Sequence, residues 1–344
     1  MEILLDKNLQ EMEQFVMSLD EPKFRAKQIL NCLLCGKSIE ESTTLPMSLK
    51  SKLSSYVCLP IKIYQDIKGE NAVKFLYELY DGNIIEGILM FHKYGNTLCV
   101  STQVGCRMGC KFCASTLDGL IRNLTAGEIL GQFVAVNKYL GGTLKNRKIT
   151  NIVLMGSGEP LDNYDNVLKF LKLVTDENGF NVSRRNISLS TCGVVDKIDC
   201  LIEDFPGVVL TISLHTPFQE KREKIMPIAK VYSLDKLITS VRNYIEKTGR
   251  RAVFEYTLID GINDSNADAQ QLRLITKGLI CHINLIPLNY VKERDLKTSN
   301  NIEKFKQQLE NMGMSVTIRN SLGSDIEGAC GQLRRRILGE KKGE

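Results

Sequence analysis

Gly105-Cys106-Arg107-Met108-Gly109-Cys110-Lys111-Phe112-Cys113 sets three thiols within eight residues, directly after the apolar run Leu98–Thr102, which reads as a strand. A loop that short can turn all three sulfurs toward one metal centre. Structural zinc takes four ligands and closes its shell. Neither a nearby histidine nor a second cysteine pair supplies the fourth, since the three histidines stand at 92, 215 and 282. Three thiolates suit a cubane iron–sulfur cluster with one iron left open, although four-thiolate ligation is the usual arrangement. An open iron is where a substrate or cofactor can bind. Cys106, Cys110 and Cys113 are therefore the candidate ligands of a 4Fe-4S cluster, one per chain, which is favoured over zinc.

Around this loop the chain alternates strand and helix with the rhythm of a parallel sheet. The spacing predicts buried strands at Leu98–Thr102, Asn151–Met155, Ile187–Thr191, Val208–Leu214, Ala252–Leu258, His282–Ile286 and Ser315–Arg319. Helices between them carry start signals. Thr125-Ala-Gly-Glu128 is a capping box ahead of Ile129, Phe133 and Val136. Ser233 precedes Leu237, Val241, Tyr244 and Ile245, and Asn300-Asn-Ile-Glu303 precedes Phe305 and Leu309. Six or seven such units are few for a closed eight-fold barrel, so an α/β fold with a partial, open β/α barrel is expected over residues 97–320. Ligands in such sheets gather at the carboxyl ends of the strands. Polar residues stand there: Gly156-Ser-Gly158-Glu159-Pro160 after the second strand, Ser190 at the end of the third, Ser213-Leu214-His215 at the fourth, and Asn289 beyond the sixth. Glycine lets backbone approach a ligand, and Glu159 could hold an amino group.

Upstream, residues 1–55 read as a small helical domain, with Pro22 ahead of the periodic run Phe24, Ile29, Leu30 and Leu33. Residues 56–96 show two-residue alternation, with Val73, Phe75, Tyr77 and Leu79 on one face and a hairpin turn at Asp81-Gly82. They are expected to form a β-ribbon linking the two domains. Residues 321–344 make a C-terminal loop and a basic tail.

The chain is 344 residues long, 43% hydrophobic and 25% charged, with apolar material for a sizeable core. No stretch approaches the ~18 apolar residues of a membrane span, and the first residues lack the basic and apolar regions of a secretory signal. A cytoplasmic location follows as an expectation, and the eleven cysteines are not read as a disulfide framework. Cys32 and Cys35 form a CxxC on a short apolar helix and read as buried thiols. Net charge is +5, and basic residues cluster at Lys145, Arg147 and Lys148, at Arg334, Arg335, Arg336, Lys341 and Lys342, and between Glu21 and Lys52, with six basic against three acidic residues. Each cluster alone is ordinary solvated surface; together they favour a polyanion.

The spacing CxxxCxxC with an aromatic before the last cysteine resembles the radical S-adenosylmethionine (SAM) signature. Leu98-Cys-Val-Ser-Thr-Gln-Val-Gly-Cys106, Gly158-Glu-Pro-Leu161, Ile212-Ser-Leu-His215, Ile283-Asn-Leu-Ile-Pro287 and Asp325-Ile-Glu-Gly-Ala-Cys-Gly-Gln332 follow in an order that resembles the RlmN/Cfr family of RNA adenine methyltransferases over nearly the whole chain. Cys192, in Ser-Thr-Cys-Gly, stands where that family usually has a small non-thiol residue. The resemblance implies SAM as cofactor, two per turnover, bound by Gly158, Glu159, Ser190, Ser213, Leu214, His215 and Asn289. It implies that Cys330 is the S-methylcysteine intermediate, that Cys99 forms a transient disulfide with Cys330, and that Glu86, at the end of the ribbon, is the proton acceptor. Without it Cys99 would be read as a core residue and Glu86 as an exposed strand carboxylate.

By the same resemblance the substrates are 23S rRNA, at an adenosine of the peptidyl-transferase centre, and tRNA, at the adenosine 3′ of the anticodon. Lys23, Arg25, Lys27, Arg184, Arg185 and the C-terminal arginines could contact their phosphates. An electron donor such as flavodoxin or ferredoxin and a monomeric state are also implied. Methylation at adenine C2 is favoured by Pro160, where the C8-methylating branch usually has Ala. C8 methylation and a non-catalytic, zinc-stabilised RNA-binding protein are the alternatives.

Overall fold

A computed structural model describes residues 2–319 and 322–333; the basic residues Arg334, Arg335, Arg336, Lys341 and Lys342 lie outside them. The amino-terminal helices are α1 (Leu9–Ser18), α2 (Arg25–Leu34) and α3 (Met47–Leu53). A reciprocal capping box, Asn8 with Glu11 at 2.8 Å each way, starts α1. Met12, Val16, Ile29 and Leu33 are buried in one core with Ile129, Leu130 and Phe133 of the following barrel helix. Phe24 departs from the sequence reading: it is 58% exposed, and the Arg25 guanidinium lies over its ring at 4.8 Å. Cys32 is buried, with its sulfur 3.3 Å from the Ser38 carbonyl.

Four strands follow, β1 (Ile61–Lys68), β2 (Ala72–Leu79), β3 (Ile84–His92) and β4 (Gly95–Cys99). β5 (Gln103–Gly105) and β6 (Leu120–Asn123) pair as a small separate hairpin. The core then runs α4 (Ala126–Tyr139), β7 (Ile149–Leu154), α5 (Tyr164–Thr175), β8 (Ile187–Thr191), α6 (Val195–Asp204), β9 (Val209–Ser213), α7 (Gln219–Ile225), α8 (Leu234–Thr248), β10 (Ala252–Leu258), α9 (Asn266–Ile275), β11 (Cys281–Pro287), α10 (Ile302–Asn311) and β12 (Val316–Ile318). The capping box at Thr125 and Glu128 forms as the sequence predicts, and the Ser233 hydroxyl caps α8.

Among the described residues ten strands make one open sheet in the order β1-β2-β3-β4-β7-β8-β9-β10-β11-β12. Pairing is antiparallel from β1 to β4 and parallel from β4 to β12. The ribbon expected over 56–96 thus does not stand apart as a connector. It continues the barrel sheet, because β3 pairs with β4 in the register Ile88 to Cys99. Its alternation divides two cores. Val73, Phe75, Tyr77 and Leu79 join the main core outside the sheet, with Phe75 edge-on to Tyr139 of α4 at 5.1 Å. Ala72, Ile88 and Met90 face inward with Cys99 and Leu333. Both faces of β2 and of most of β3 are covered, so these strands are buried along most of their length, while β1 at the sheet edge is largely exposed. Among the described residues no helix is long and apolar enough to cross a membrane.

Candidate active site

The hairpin β5–β6 brackets the three-cysteine loop and fixes it against the barrel mouth. Inside the loop, the Thr116 hydroxyl donates to the Cys110 and Cys113 carbonyls at 3.1 and 3.0 Å, and Lys111 N–H donates to Ile225 O at 2.9 Å. Cys106, Cys110 and Cys113 all line one cleft at the carboxyl ends of the parallel strands. Burial pushes all three thiols up, Cys106 to about 12, so each needs a cation before it ionises. Three sulfurs on one wall of an open cleft are a donor set that fits a cubane with one iron left free.

The cleft and the open solvent at its mouth together span about 950 Å3. Six of the seven residues expected to hold cofactor line it: Gly158, Glu159, Ser190, Ser213, His215 and Asn289. The Glu159 carboxylate is buried and accepts from Cys192 N–H at 2.8 Å and Leu161 N–H at 3.0 Å; burial raises its pKa. Ser190 and Ser213 bridge neighbouring strand ends at 3.4 Å. His215 has φ +57, accepts Thr257 N–H on Nδ1 at 3.0 Å, and packs against the Phe112 ring at 4.6 Å. Burial drives its pKa down to about 3, so it is a neutral imidazole with Nε2–H available. The seventh residue, Leu214, does not line the cleft. Its side chain is in the main core, and its backbone N–H donates to Glu255 O at 3.1 Å.

The carboxy-terminal loop lies over the barrel mouth. Asn289 Nδ2 donates to Cys330 O at 3.0 Å, Ala114 N–H to Gly331 O at 2.7 Å, and the Ser115 hydroxyl to Leu333 O at 2.5 Å. Cys330 is exposed to the cleft and also borders a second, smaller cavity with Cys99, Met155 and Arg319. The two cysteines, expected as relay partners, are thus brought to one cavity, both as free thiols. Both thiols are raised to about 12, Cys99 by burial and Cys330 by the protein packed around its side of the cleft together with Glu255, while Arg319 opposes the rise at both.

Glu86 lies in β3, towards the end of the ribbon; it is not the exposed carboxylate its segment alone suggests but is sealed, with its carboxylate 3.5 Å from Lys74 Nζ, and it lines neither cavity. The carboxy-terminal loop covers this pair, with Lys74 Nζ donating to Glu327 O at 3.2 Å. Of the basic residues, Lys23, Lys27, Arg184 and Arg185 are exposed.

Three site residues escaped the sequence reading. Glu255 and Arg319 form an ion pair of 2.7 Å beside the two thiols. A lone carboxylate in the apolar strand Ala252–Leu258 was the available signal for Glu255, and the position of Arg319 at the end of the expected strand Ser315–Arg319 was the signal for it. Arg222, in the charged segment Gln219–Ile225, reads as solvated helix and is instead wholly buried.

An open β/α barrel whose mouth carries three thiols, a carboxylate and strand-end hydroxyls defines a radical SAM enzyme, and the Radical SAM superfamily model matches residues 100–272. The amino-terminal helices match the ribosomal RNA large subunit methyltransferase N-terminal domain over residues 3–59. The chain is 47% identical over 344 residues to a protein of Clostridium botulinum (strain Alaska E43 / Type E3) named "Probable dual-specificity RNA methyltransferase RlmN", covering 98% of both chains. It is 48% identical over 348 residues to a protein of the same name from Clostridium perfringens (strain 13 / Type A), covering 99% of both. A radical SAM methyltransferase from Sphaerobacter thermophilus superposes with a TM-score of 0.92 at 39% identity, over 97% of this chain and 99% of that one. The chain belongs to the RlmN family of dual-specificity RNA methyltransferases, SAM-dependent enzymes of the radical SAM superfamily.

Proposed function

We propose that the chain methylates C2 of adenosine in 23S rRNA and tRNA, with Cys330 carrying the methyl group and Cys99 releasing the product. The observation that carries this reading is the meeting of Cys99 and Cys330 in one cavity that opens on the three-thiol cleft. C2 of adenine is electron-poor and SAM offers an electrophilic methyl, so direct transfer between them fails and a sulfur nucleophile is needed first. Cys330, exposed to the cleft, is that nucleophile. Cys106, Cys110 and Cys113 would hold the 4Fe-4S cluster, with Glu159, Ser190, Ser213, His215 and Asn289 around SAM. When bound, the cluster supplies the electron that splits SAM homolytically. Cys99, in the adjoining cavity, attacks the Cys330 sulfur: the S–S bond forms as the S–C bond to the base breaks, the released carbon takes a proton to become the methyl group, and an external thiol reductant returns the disulfide to two thiols. Burial raises the Cys99 thiol, the packed surroundings and Glu255 raise that of Cys330, and the Arg319 cation favours each thiolate as it forms.

Glu86 is assigned as proton acceptor by resemblance. Its cover is the carboxy-terminal loop, so this role requires that loop to lift from Lys74. A flipped adenine entering the mouth displaces the same loop. The reading places the enzyme in the cytoplasm, as a monomer reduced by a flavodoxin or ferredoxin, with exposed Lys23, Lys27, Arg184 and Arg185 on RNA phosphates.

The test maps methylation on 23S rRNA and tRNA treated with anaerobically reconstituted enzyme. Methyl at C2 of the adenosine is expected; methyl at C8, or none in the presence of an intact cluster, overturns the reading.

A further inference from the structure

Arg222, on α7, has no exposed surface. Burying a guanidinium is costly unless a carboxylate pairs it, and among the described residues none stands at ion-pair distance from Arg222. Its partners are backbone carbonyls. Nη2 donates to Cys192 O at 2.6 Å and Ser213 O at 3.1 Å, and Nε to Leu214 O at 3.3 Å. Nη1 is buried with no acceptor. These dipoles orient the group without cancelling its charge. A Cβ on Gly193 would stand 3.4 Å from Nη2, so the segment Cys192–Gly193 packs closely over the guanidinium. Cys192 and Cys110 share one buried cluster with Ile225 and Met226, three and four residues past Arg222. Lys111 N–H, next to Cys110, donates to Ile225 O at 2.9 Å, so the segment that carries Arg222 is tied to the three-cysteine loop.

A buried cation without an anion marks a site whose anion is the ligand. We infer that Arg222 is the resident counter-charge of the iron–sulfur cluster, a fixed cation behind Cys110 that eases the cluster's reduction. The inference rests on the cluster reading given above. A cubane on three thiolates is a net anion and grows more anionic when it accepts an electron. A nearby cation in low dielectric stabilises the reduced form more than the oxidised one. Charge and hydrogen bonding around the sulfurs are among the terms that set such potentials.

The test is a redox titration of the anaerobically reconstituted full chain with dithionite and mediators, followed by electron paramagnetic resonance of the reduced cluster. In R222Q the ratio of reduced to oxidised cluster at a fixed potential is expected to fall at least tenfold, a midpoint about 59 mV more negative for one electron. R222K, which keeps the charge, is expected to stay within threefold of the wild type. An R222Q midpoint equal to the wild type overturns the inference, and so does an R222K midpoint as low as that of R222Q, since a packing role alone would then explain both. If R222Q assembles no cluster, R222K decides, because a tenfold loss there removes the charge argument. A wild-type chain that assembles no cluster sinks the reading of the site itself, an outcome distinct from an unmoved midpoint.

Discussion

Gly158→Ala tests how the backbone builds the cofactor wall. Gly158 follows β7 with φ +106, a conformation that costs an L-residue roughly 1–2 kcal/mol. An added Cβ would stand 2.6 Å from Gln103 Cβ and 2.8 Å from its backbone N. Gln103 cannot swing aside. It is fully buried, its Oε1 accepts Glu159 N–H at 2.8 Å, and its Nε2 donates to Asn123 and Asp162. Overpacking of a rigid wall adds about 1–3 kcal/mol, which makes the expected loss about 3 kcal/mol. At roughly 2.1 cal/mol/K per residue, unfolding 344 residues carries about 0.7 kcal/mol/K, so the melting midpoint drops by about 4 °C. Because Gln103 positions the Glu159 backbone, SAM affinity should fall as well, by tenfold or more. Calorimetry reads the melt and equilibrium binding reads the affinity. A variant that melts within 1 °C of the wild type and binds SAM equally would refute this account of the wall.

Cys330→Ala is expected to abolish RNA methylation while SAM binding persists; turnover by this variant would exclude the covalent relay. Cys99→Ala should accumulate a covalent protein–RNA adduct visible on a denaturing gel, and normal product release would contradict its role. Cys192→Ala should retain about four irons per chain, because the wild-type Cys192 thiol is held by Glu159 and not by iron; loss of the cluster would make Cys192 a fourth ligand and close the open iron. His215, lowered to about 3, contributes stability that is fully present above its unfolded value near pH 6.5 and is lost as pH falls toward 3. The slope is about 1.4 kcal/mol per pH unit. Denaturant midpoints between pH 6.5 and 4 should fall less steeply in His215→Gln than in the wild type, and equal slopes would count against a neutral His215.

The parallel part of the sheet was legible because its strands are buried on both faces and read as continuous apolar runs. Ile187–Thr191 and Ala252–Leu258 match β8 and β10 end to end. Capping boxes and strand-end polar residues are likewise local signals, and six of the seven expected cofactor residues reach the cleft for that reason. The three-thiol loop needed only eight consecutive residues to be read. Alternation, in contrast, says which residues share a face and nothing of which neighbour the strand joins, so the pairing that turns the ribbon into three more strands of the sheet came only with the tertiary structure. The same holds for burial of charge. Glu86, Arg222, Glu255 and Arg319 are polar letters in their segments, and their settings depend on what the rest of the chain lays over them. A carboxylate sealed against Lys74, a guanidinium with only carbonyls for company, and two cysteines from opposite ends of the core facing one cavity are products of long-range packing, which local sequence does not encode.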